Sequence, residues 1–247
     1  MPVWVAIASK DTRRFTQLAC VSAMRTAGQP IHLVVGDCAS TDGSLEWLRA
    51  QHAAGWLQLV EGPADRRHGQ WIDTFRQMCP ERHLIVLDSD LRCRRHGWVD
   101  MVLRHLDDAA LVAFDRSELT TYTELRPTPL QGITMKLLPR PMPFVLGLDQ
   151  ERLRDVDTSF VWQPAYQLAD PSDFAARPEA YDTAGAFAAE IERRGMRWET
   201  LSERERTWFI HYGGQSWDTK LRLARSSAVS LQLWQNRLRL RDKPAPV

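Results

Sequence analysis

The sequence lacks a long hydrophobic run. No stretch approaches the roughly 18 consecutive apolar residues that a transmembrane helix requires. The apolar run at residues 3–8 is too short for the core of a signal peptide, and the basic residues near it follow the run instead of preceding it. We therefore expect no transmembrane segment, no export and a cytoplasmic location.

The sequence is also poor in cysteine and has almost no excess of charge of one sign. Its four cysteines include no CxxC pair and no metal-ligand spacing, which disfavours a disulfide framework or a zinc site. Lys and Arg number 32 against 31 Asp and Glu, so the formal net charge of +1 creates no global field that attracts nucleic acid. We expect reduced thiols and no nucleic-acid partner.

Short apolar runs alternate with helical patterns in the first half of the 247-residue chain. The runs are rich in β-branched residues and continuous, which is typical of strands covered on both faces of a parallel sheet. They lie at residues 3–7, 31–35, 56–60, 83–87 and 110–114. This alternation predicts an α/β fold with a mostly parallel central sheet flanked by helices, in a single elaborated domain.

The pattern changes in the second half of the chain. Five prolines between residues 117 and 143 predict a long loop or an insertion of short strands. Helical spacing returns at residues 184–194, and Gly195 predicts the end of that helix. The basic segment 219–247 is predicted to be a helical tail that packs on the domain or on a second subunit of a homodimer, or lies peripherally on an anionic membrane.

The strand predicted at residues 83–87 ends in Asp88-Ser89-Asp90. Two carboxylates at positions i and i+2, where a strand leaves the sheet, can point into the crevice in which open α/β sheets bind ligands. Carboxylate oxygens there suit Mg²⁺ or Mn²⁺ bridging to a diphosphate. The alternative is that Asp88 caps the following turn while Asp90 is solvated.

A second strand supplies the context for these carboxylates. Residues 33–44, LVVGDCASTDGS, lead from a strand through a turn into a helix, with Asp37 and Asp42 at the two ends of the turn. This segment resembles the VDNxSTDGS stretch of inverting GT-A glycosyltransferases of the family 2 type, in which a hydrophobic strand ending in DxD follows further along the chain. The order of the two motifs is what carries the resemblance.

The resemblance implies a GT-A-like fold of Rossmann type over residues 1–218, with a nucleotide-binding half at 1–115 and an acceptor-binding half at 116–218. It implies Mn²⁺- or Mg²⁺-dependent transfer of a sugar from a nucleotide-sugar donor, UDP-sugars being favoured, to an acceptor hydroxyl with inversion. The acceptor would be a glycan, a lipid-linked molecule or a small metabolite.

Several residues are candidates for binding the donor. Asp37 stands where a carboxylate can accept a hydrogen bond from a base N–H. Ser9 and Asp11 belong to the segment ASKDT, which replaces the PxYN-like strand ending of the family, and they are candidate base contacts by position. Arg67 and His68 could neutralise phosphate, although a solvated basic loop is the alternative for them.

Two further candidates come from the second half. The segment FIHYGGQSW at residues 209–217 resembles the histidine-containing segment that completes the metal site in many GT-A enzymes, so His211 is expected to join Asp88 and Asp90 as a metal ligand. Asp182 precedes a predicted helix, as the catalytic base of the family does, and is our candidate base. The alternatives are a structural strand-end histidine and a helix N-cap.

Two rival functions remain open at this stage. A catalytically inactive sugar- or nucleotide-binding module could keep the same fold, because fold does not settle activity. A sugar nucleotidyltransferase is an enzymatic alternative, but the glycine-rich amino-terminal loop of that class is absent from residues 3–12.

Overall fold

The computed structural model describes residues 2–123, 134–165 and 179–212. Its strands are β1 Val3–Ser9, β2 Ile31–Asp37, β3 Gln58–Glu61, β4 His83–Asp88, β5 Leu91–Cys93, β6 Leu111–Ser117, β7 Thr120–Thr123, β8 Thr134–Leu137, β9 Arg140–Asp149, β10 Gln163–Pro164, β11 Glu179–Tyr181, β12 Trp198–Thr200 and β13 Phe209–His211. Its helices are α1 Arg13–Thr26, α2 Ser44–Ala53, α3 His68–Met78, α4 Trp98–Leu106, α5 Gly185–Arg193 and α6 Glu203–Arg206.

Within the described residues, the central sheet has seven strands in the order β12-β6-β9-β4-β1-β2-β3. The pairs β12/β6, β4/β1, β1/β2 and β2/β3 are parallel, whereas β9 runs antiparallel to both of its neighbours, β4 and β6. The predicted mostly parallel α/β sheet is therefore confirmed. Because β9 comes from the second half of the chain and lies inside the sheet between β6 and β4, both predicted halves contribute to one sheet.

Both faces of the sheet are covered, as the continuous apolar runs predict. Val3, Val5 and Ile7 of β1 belong to one hydrophobic cluster, while Trp4 and Ala6 between them belong to the cluster on the opposite face. Alternate side chains of a strand point to opposite faces, so an uninterrupted apolar run requires a core on each side.

Trp71 of α3 fixes this helix against the sheet. Its ring packs over Gly36 of β2, where a Cβ atom would lie 2.5 Å from the ring, and over Gly62. Its indole N–H donates to the Cys38 sulfur at 2.9 Å. The two glycines thus permit a close approach that places the amino terminus of α3 beside the carboxyl ends of the strands.

The described residues of the proline-rich part form the short strands β7 and β8 and the beginning of β9. Among the described residues, β7, β8, β11 and β10 form a second sheet, and β5 and β13 form an antiparallel pair. The helical tail predicted at 219–247 and the segment 213–218 lie outside the described residues. No helix in the described part of the chain is long and apolar enough to cross a bilayer.

Candidate metal and nucleotide site

The carboxyl ends of β1, β2 and β4 meet at one edge of the sheet. Ser9 pairs with Asp37 across β1 and β2, and Ala8 pairs with Asp88 across β1 and β4. Parallel strands in register end at the same edge, which is where open α/β sheets bind ligands. The turn after β4 carries Asp90, so the sequence motifs singled out above converge here.

Asp88, Asp90 and His211 form a cluster whose candidate ligand atoms all lie within 4.8 Å of one another. The His211 Nε2 atom is 3.3 Å from Asp88 Oδ2 and 3.2 Å from Asp90 Oδ1. Asp90 is buried, and the other two side chains are partly buried. Two carboxylates and one imidazole, with room between their ligand atoms, form a donor set that suits Mn²⁺ or Mg²⁺.

Short-strand pairing brings His211 to this turn. The three-residue strands β5 and β13 are antiparallel, with His211 opposite Leu91, and the Tyr212 N–H donates to the Asp90 carbonyl at 3.0 Å. The imidazole also stacks on the Phe144 ring of β9, with centroids 3.6 Å apart and the planes 24° from parallel. The two carboxylates thus contact the edge of the His211 ring, and Phe144 contacts its face.

The two carboxylates dominate the electrostatics of this cluster. Burial alone would lower the pKa of His211, but hydrogen bonds and charge interactions with Asp88 and Asp90 outweigh it and raise the pKa to about 9. In the metal-free chain the imidazole is therefore protonated at neutral pH and neutralises charge between the two carboxylates. A divalent ion bound there would take over this role, since a ligating imidazole must be neutral.

His68 approaches the same cluster from the amino terminus of α3. Its Nε2 atom lies 3.4 Å from Asp88 Oδ1, on the carboxylate oxygen that does not face His211. This nitrogen is buried and makes no hydrogen bond within the described residues. A buried ring nitrogen at a helix amino terminus is positioned to donate to an anion. Arg67, the residue before it, is exposed at the N-cap position.

The residues predicted to contact the base mainly make hydrogen bonds within and between the loops that follow β1 and β2. Asp37 is fully buried, its oxygens accept from the backbone N–H and the hydroxyl of Ser40, each at 2.8 Å, and Ser9 also hydrogen-bonds to it. Burial raises the pKa of Asp37, and these hydrogen bonds offset part of the rise. Asp11 has a positive φ of 47° and accepts from the Thr41 N–H at 2.7 Å. Contacts of Asp37, Ser9 and Asp11 with a base stay predictions.

Asp182 lies between β11 and α5 and is ion-paired. Its Oδ2 atom is 2.7 Å from an Arg140 guanidinium nitrogen, and its Oδ1 atom accepts from the Thr183 N–H at 2.7 Å. The N-cap of α5 is Ala184, so Asp182 is not the N-cap that the structural alternative assumed. Arg140 begins β9, four residues before Phe144. Because β9 runs antiparallel to β4, Arg140 lies toward the edge of the sheet at which β4 ends in Asp88.

Sequence reasoning missed Arg140 and Phe144, which hold Asp182 and His211 respectively. Both come from β9, whose amino-terminal half has prolines at two of its first four positions and reads as a loop in the sequence. Alternation gives no signal for them, because the register of β9 shifts between Met142 and Leu146, and Phe144 packs with the hydrophobic cluster opposite that of Leu146.

Comparison with solved structures places this fold among known proteins. No family model and no curated protein sequence matches the chain. A mannosyltransferase from Pyrobaculum calidifontis, solved with GDP-Man and Mn²⁺, superposes with a TM-score of 0.52 at 15% identity, covering 81% of this chain and 55% of that chain. This chain thus spans about half the length of that enzyme. The likeness confirms the predicted GT-A-like fold.

Two other solved structures show weaker likeness. TarS residues 1–349 from S. aureus matches with a TM-score of 0.45 at 14% identity, covering 83% of this chain and 68% of that one. Glucosyl-3-phosphoglycerate synthase from Mycobacterium tuberculosis, solved with Mn²⁺, UDP and glucosyl-3-phosphoglycerate, matches with a TM-score of 0.49 at 15% identity, covering 94% and 77%.

Proposed function

We propose that this chain is a metal-dependent glycosyltransferase that transfers a sugar from a nucleotide-sugar donor to an acceptor hydroxyl. The observation that carries the proposal is the cluster of Asp88, Asp90 and His211 at the ligand-binding edge of a GT-A-like sheet. In this cluster two carboxylates lie beside a protonated imidazole. A divalent cation can replace the imidazole proton there. The mannosyltransferase of similar fold was solved with GDP-Man and Mn²⁺.

The residues present fit Mn²⁺ or Mg²⁺. Asp88, Asp90 and His211 would hold the ion and leave positions for the phosphate oxygens of the donor. Bound there, the ion supplies positive charge that stabilises the departing nucleoside diphosphate. His68, whose Nε2 atom makes no hydrogen bond within the described residues, donates to a phosphate oxygen through that atom, and the N–H groups at the start of α3 favour the same anion. Arg67 adds a positive charge from the exposed rim.

The acceptor half supplies the proposed base. Asp182 accepts the proton of the attacking hydroxyl, and Arg140 together with the Thr183 N–H holds its carboxylate in one orientation. Attack from the side opposite the diphosphate inverts the anomeric configuration. We propose a UDP-sugar as the donor and a glycan, a lipid-linked molecule or a small metabolite as the acceptor.

The first experiment is a donor panel. Purified protein is mixed with UDP-, GDP- or dTDP-sugars, and nucleoside diphosphate release is measured with EDTA and then with excess Mn²⁺. We expect release from one nucleotide class, abolished by EDTA and restored by Mn²⁺. Asp90→Ala should reduce the rate about 10²-fold or more, since it removes a ligand of the charge-stabilising ion.

The matched control is Asp149→Asn at the opposite edge of the sheet, where Asp149 pairs with His83 at the start of β4. This variant should keep the wild-type rate at temperatures at which it is folded. Donor-induced thermal stabilisation without any turnover would favour the binding module. Pyrophosphate release from a nucleoside triphosphate and a sugar 1-phosphate would favour the nucleotidyltransferase.

A further inference from the structure

A chain of buried hydroxyl groups connects the two halves of the proposed donor site. The Ser9 Oγ atom is 2.9 Å from Thr16 Oγ1, Thr16 Oγ1 is 3.0 Å from Thr12 Oγ1, and Thr12 Oγ1 is 3.2 Å from Ser89 Oγ. Ser9, Thr12 and Thr16 are at most 2% exposed. One end of the chain reaches the Asp37 carboxylate through Ser9, and the other end is the central residue of the Asp88-Ser89-Asp90 turn.

The hydroxyl groups of Thr12 and Thr16 do not make the hydrogen bonds that are usual for threonines at these helix positions. Thr12 is the N-cap of α1, yet its side chain makes no capping hydrogen bond, and the Arg13 N–H is satisfied by Asp42 Oδ2 at 2.8 Å. Thr16, inside the first turn, bonds to other hydroxyls. By contrast, Thr26 at the other end of α1 donates back to the Ser22 carbonyl at 2.7 Å, the usual pattern for a helical threonine.

The chain of hydroxyls has one consistent direction. An ionised carboxylate only accepts hydrogen bonds, so Ser9 donates to Asp37. Each hydroxyl carries a single proton, so Thr16 must then donate to Ser9, Thr12 to Thr16, and Ser89 to Thr12. Successive bonds polarise one another in a buried setting, and the carboxylate thereby fixes the orientation of the Ser89 side chain.

We propose that Thr12 and Thr16 are positioning residues for the metal site, which rests on the proposed function. They act by anchoring Ser89, and Ser89 in turn holds the flanking residues Asp88 and Asp90 at the spacing that a divalent ion requires. Outer partners of this kind orient the residues that ligate a metal. In the described part of the chain, the hydrogen bonds of these two side chains join Thr12 and Thr16 to other hydroxyl groups and not to the candidate ligand atoms of the metal site.

The test is the affinity for Mn²⁺ alone, measured from the electron paramagnetic resonance signal of free Mn²⁺. Thr16→Val keeps the shape of the side chain and removes the hydroxyl, and we expect roughly threefold to tenfold weaker binding. Thr16→Ser keeps the hydroxyl and removes a methyl group, and it should bind within about twofold of the wild type. Thr26→Val removes a hydroxyl from the same helix away from the chain and should also bind as the wild type does.

A double-mutant cycle separates a connected chain from independent effects. Ser89→Ala alone should weaken Mn²⁺ binding, and adding Thr16→Val should weaken it no further, because both substitutions break the same chain. Thr12→Val provides a second break if Thr16→Val fails to fold, as judged by circular dichroism.

The results that would contradict the positioning role differ from the result that would contradict the proposed function. Wild-type affinity in folded Thr16→Val and Thr12→Val, or a Thr16→Ser defect as large as that of Thr16→Val, would overturn the positioning role while leaving the metal site intact. A wild-type chain that binds no Mn²⁺ would overturn the proposed function and this role with it.

Discussion

The Asp182→Asn substitution tests whether the Asp182 carboxylate has a catalytic or a structural role. Asparagine has the same shape, keeps an oxygen that can accept one of the two hydrogen bonds of Asp182, and has no carboxylate to take a proton. If Asp182 is the base, the rate of sugar transfer should fall roughly 10²- to 10⁴-fold, the range for loss of a general base. Donor hydrolysis in the absence of acceptor and the affinity for Mn²⁺ should change much less.

The structure limits the loss of stability. The Asp182 side chain is 33% exposed, so water screens its ion pair with Arg140, and only one hydrogen bond is lost outright. We expect a decrease of about 1 kcal/mol in the free energy of unfolding, measured by urea denaturation. A rate loss this large with a stability loss this small would not come from misfolding.

Asp149→Asn is the matched control, because Asp149 is fully buried and lies at the edge of the sheet opposite Asp88. It should lose stability and keep its rate, the reverse of Asp182→Asn. The reasoning is refuted if Asp182→Asn transfers sugar within threefold of the wild-type rate, in which case Asp182 only anchors Arg140 and another carboxylate is the base.

Three other outcomes are expected. Gly69→Ala should lower the free energy of unfolding by about 2 kcal/mol in urea titrations, because a Cβ atom there would lie 2.5 Å from the Phe160 carbonyl oxygen and this clash outweighs the helix preference of alanine. Burial opposes ionisation of Asp149, but hydrogen bonds from Arg82 and from backbone N–H groups outweigh it and lower the pKa of this carboxyl. Asp149 should therefore stabilise the fold above pH about 4, and this effect should disappear as the pH falls through the lower folded-state pKa. At that low pH, the wild type and Asp149→Asn should converge in stability. His211→Ala should weaken Mn²⁺ binding at least about tenfold by calorimetry, and unchanged affinity would remove His211 from the ligand set.

Much of the fold and part of the site could be predicted from local patterns. The five apolar runs became β1, β2, β3, β4 and β6, each shifted or extended by no more than a few residues. Asp37 and Asp88 could be placed at one edge because both follow strands of a parallel sheet, and the pairing of β1 with both neighbours brings those strand ends together. Local patterns suffice here because the interior strands β1, β2 and β4 are long enough to bury side chains on both faces.

Other features of the site have no local signature. The strands β5 and β13 are three residues each, too short for any periodicity, so their pairing and the approach of His211 to Asp90 depend on the path of the chain. In the sequence, the resemblance alone suggested His211. Arg140 was missed because it begins a strand in a proline-rich segment, and its partner Asp182 is distant along the chain.

The sequence by itself determined the α/β class, the strand order along the chain and the presence of carboxylates at strand ends, since these follow from residue type and spacing. The tertiary structure decided which polar groups are available. It buried Asp37 within a turn, gave Asp182 a guanidinium partner, left the His68 Nε2 atom without a hydrogen bond in the described chain, and connected Ser9 to Ser89 through two threonines. Hydrogen-bond partners distant in sequence settle these roles, because a polar group already satisfied inside the protein has less to offer a ligand.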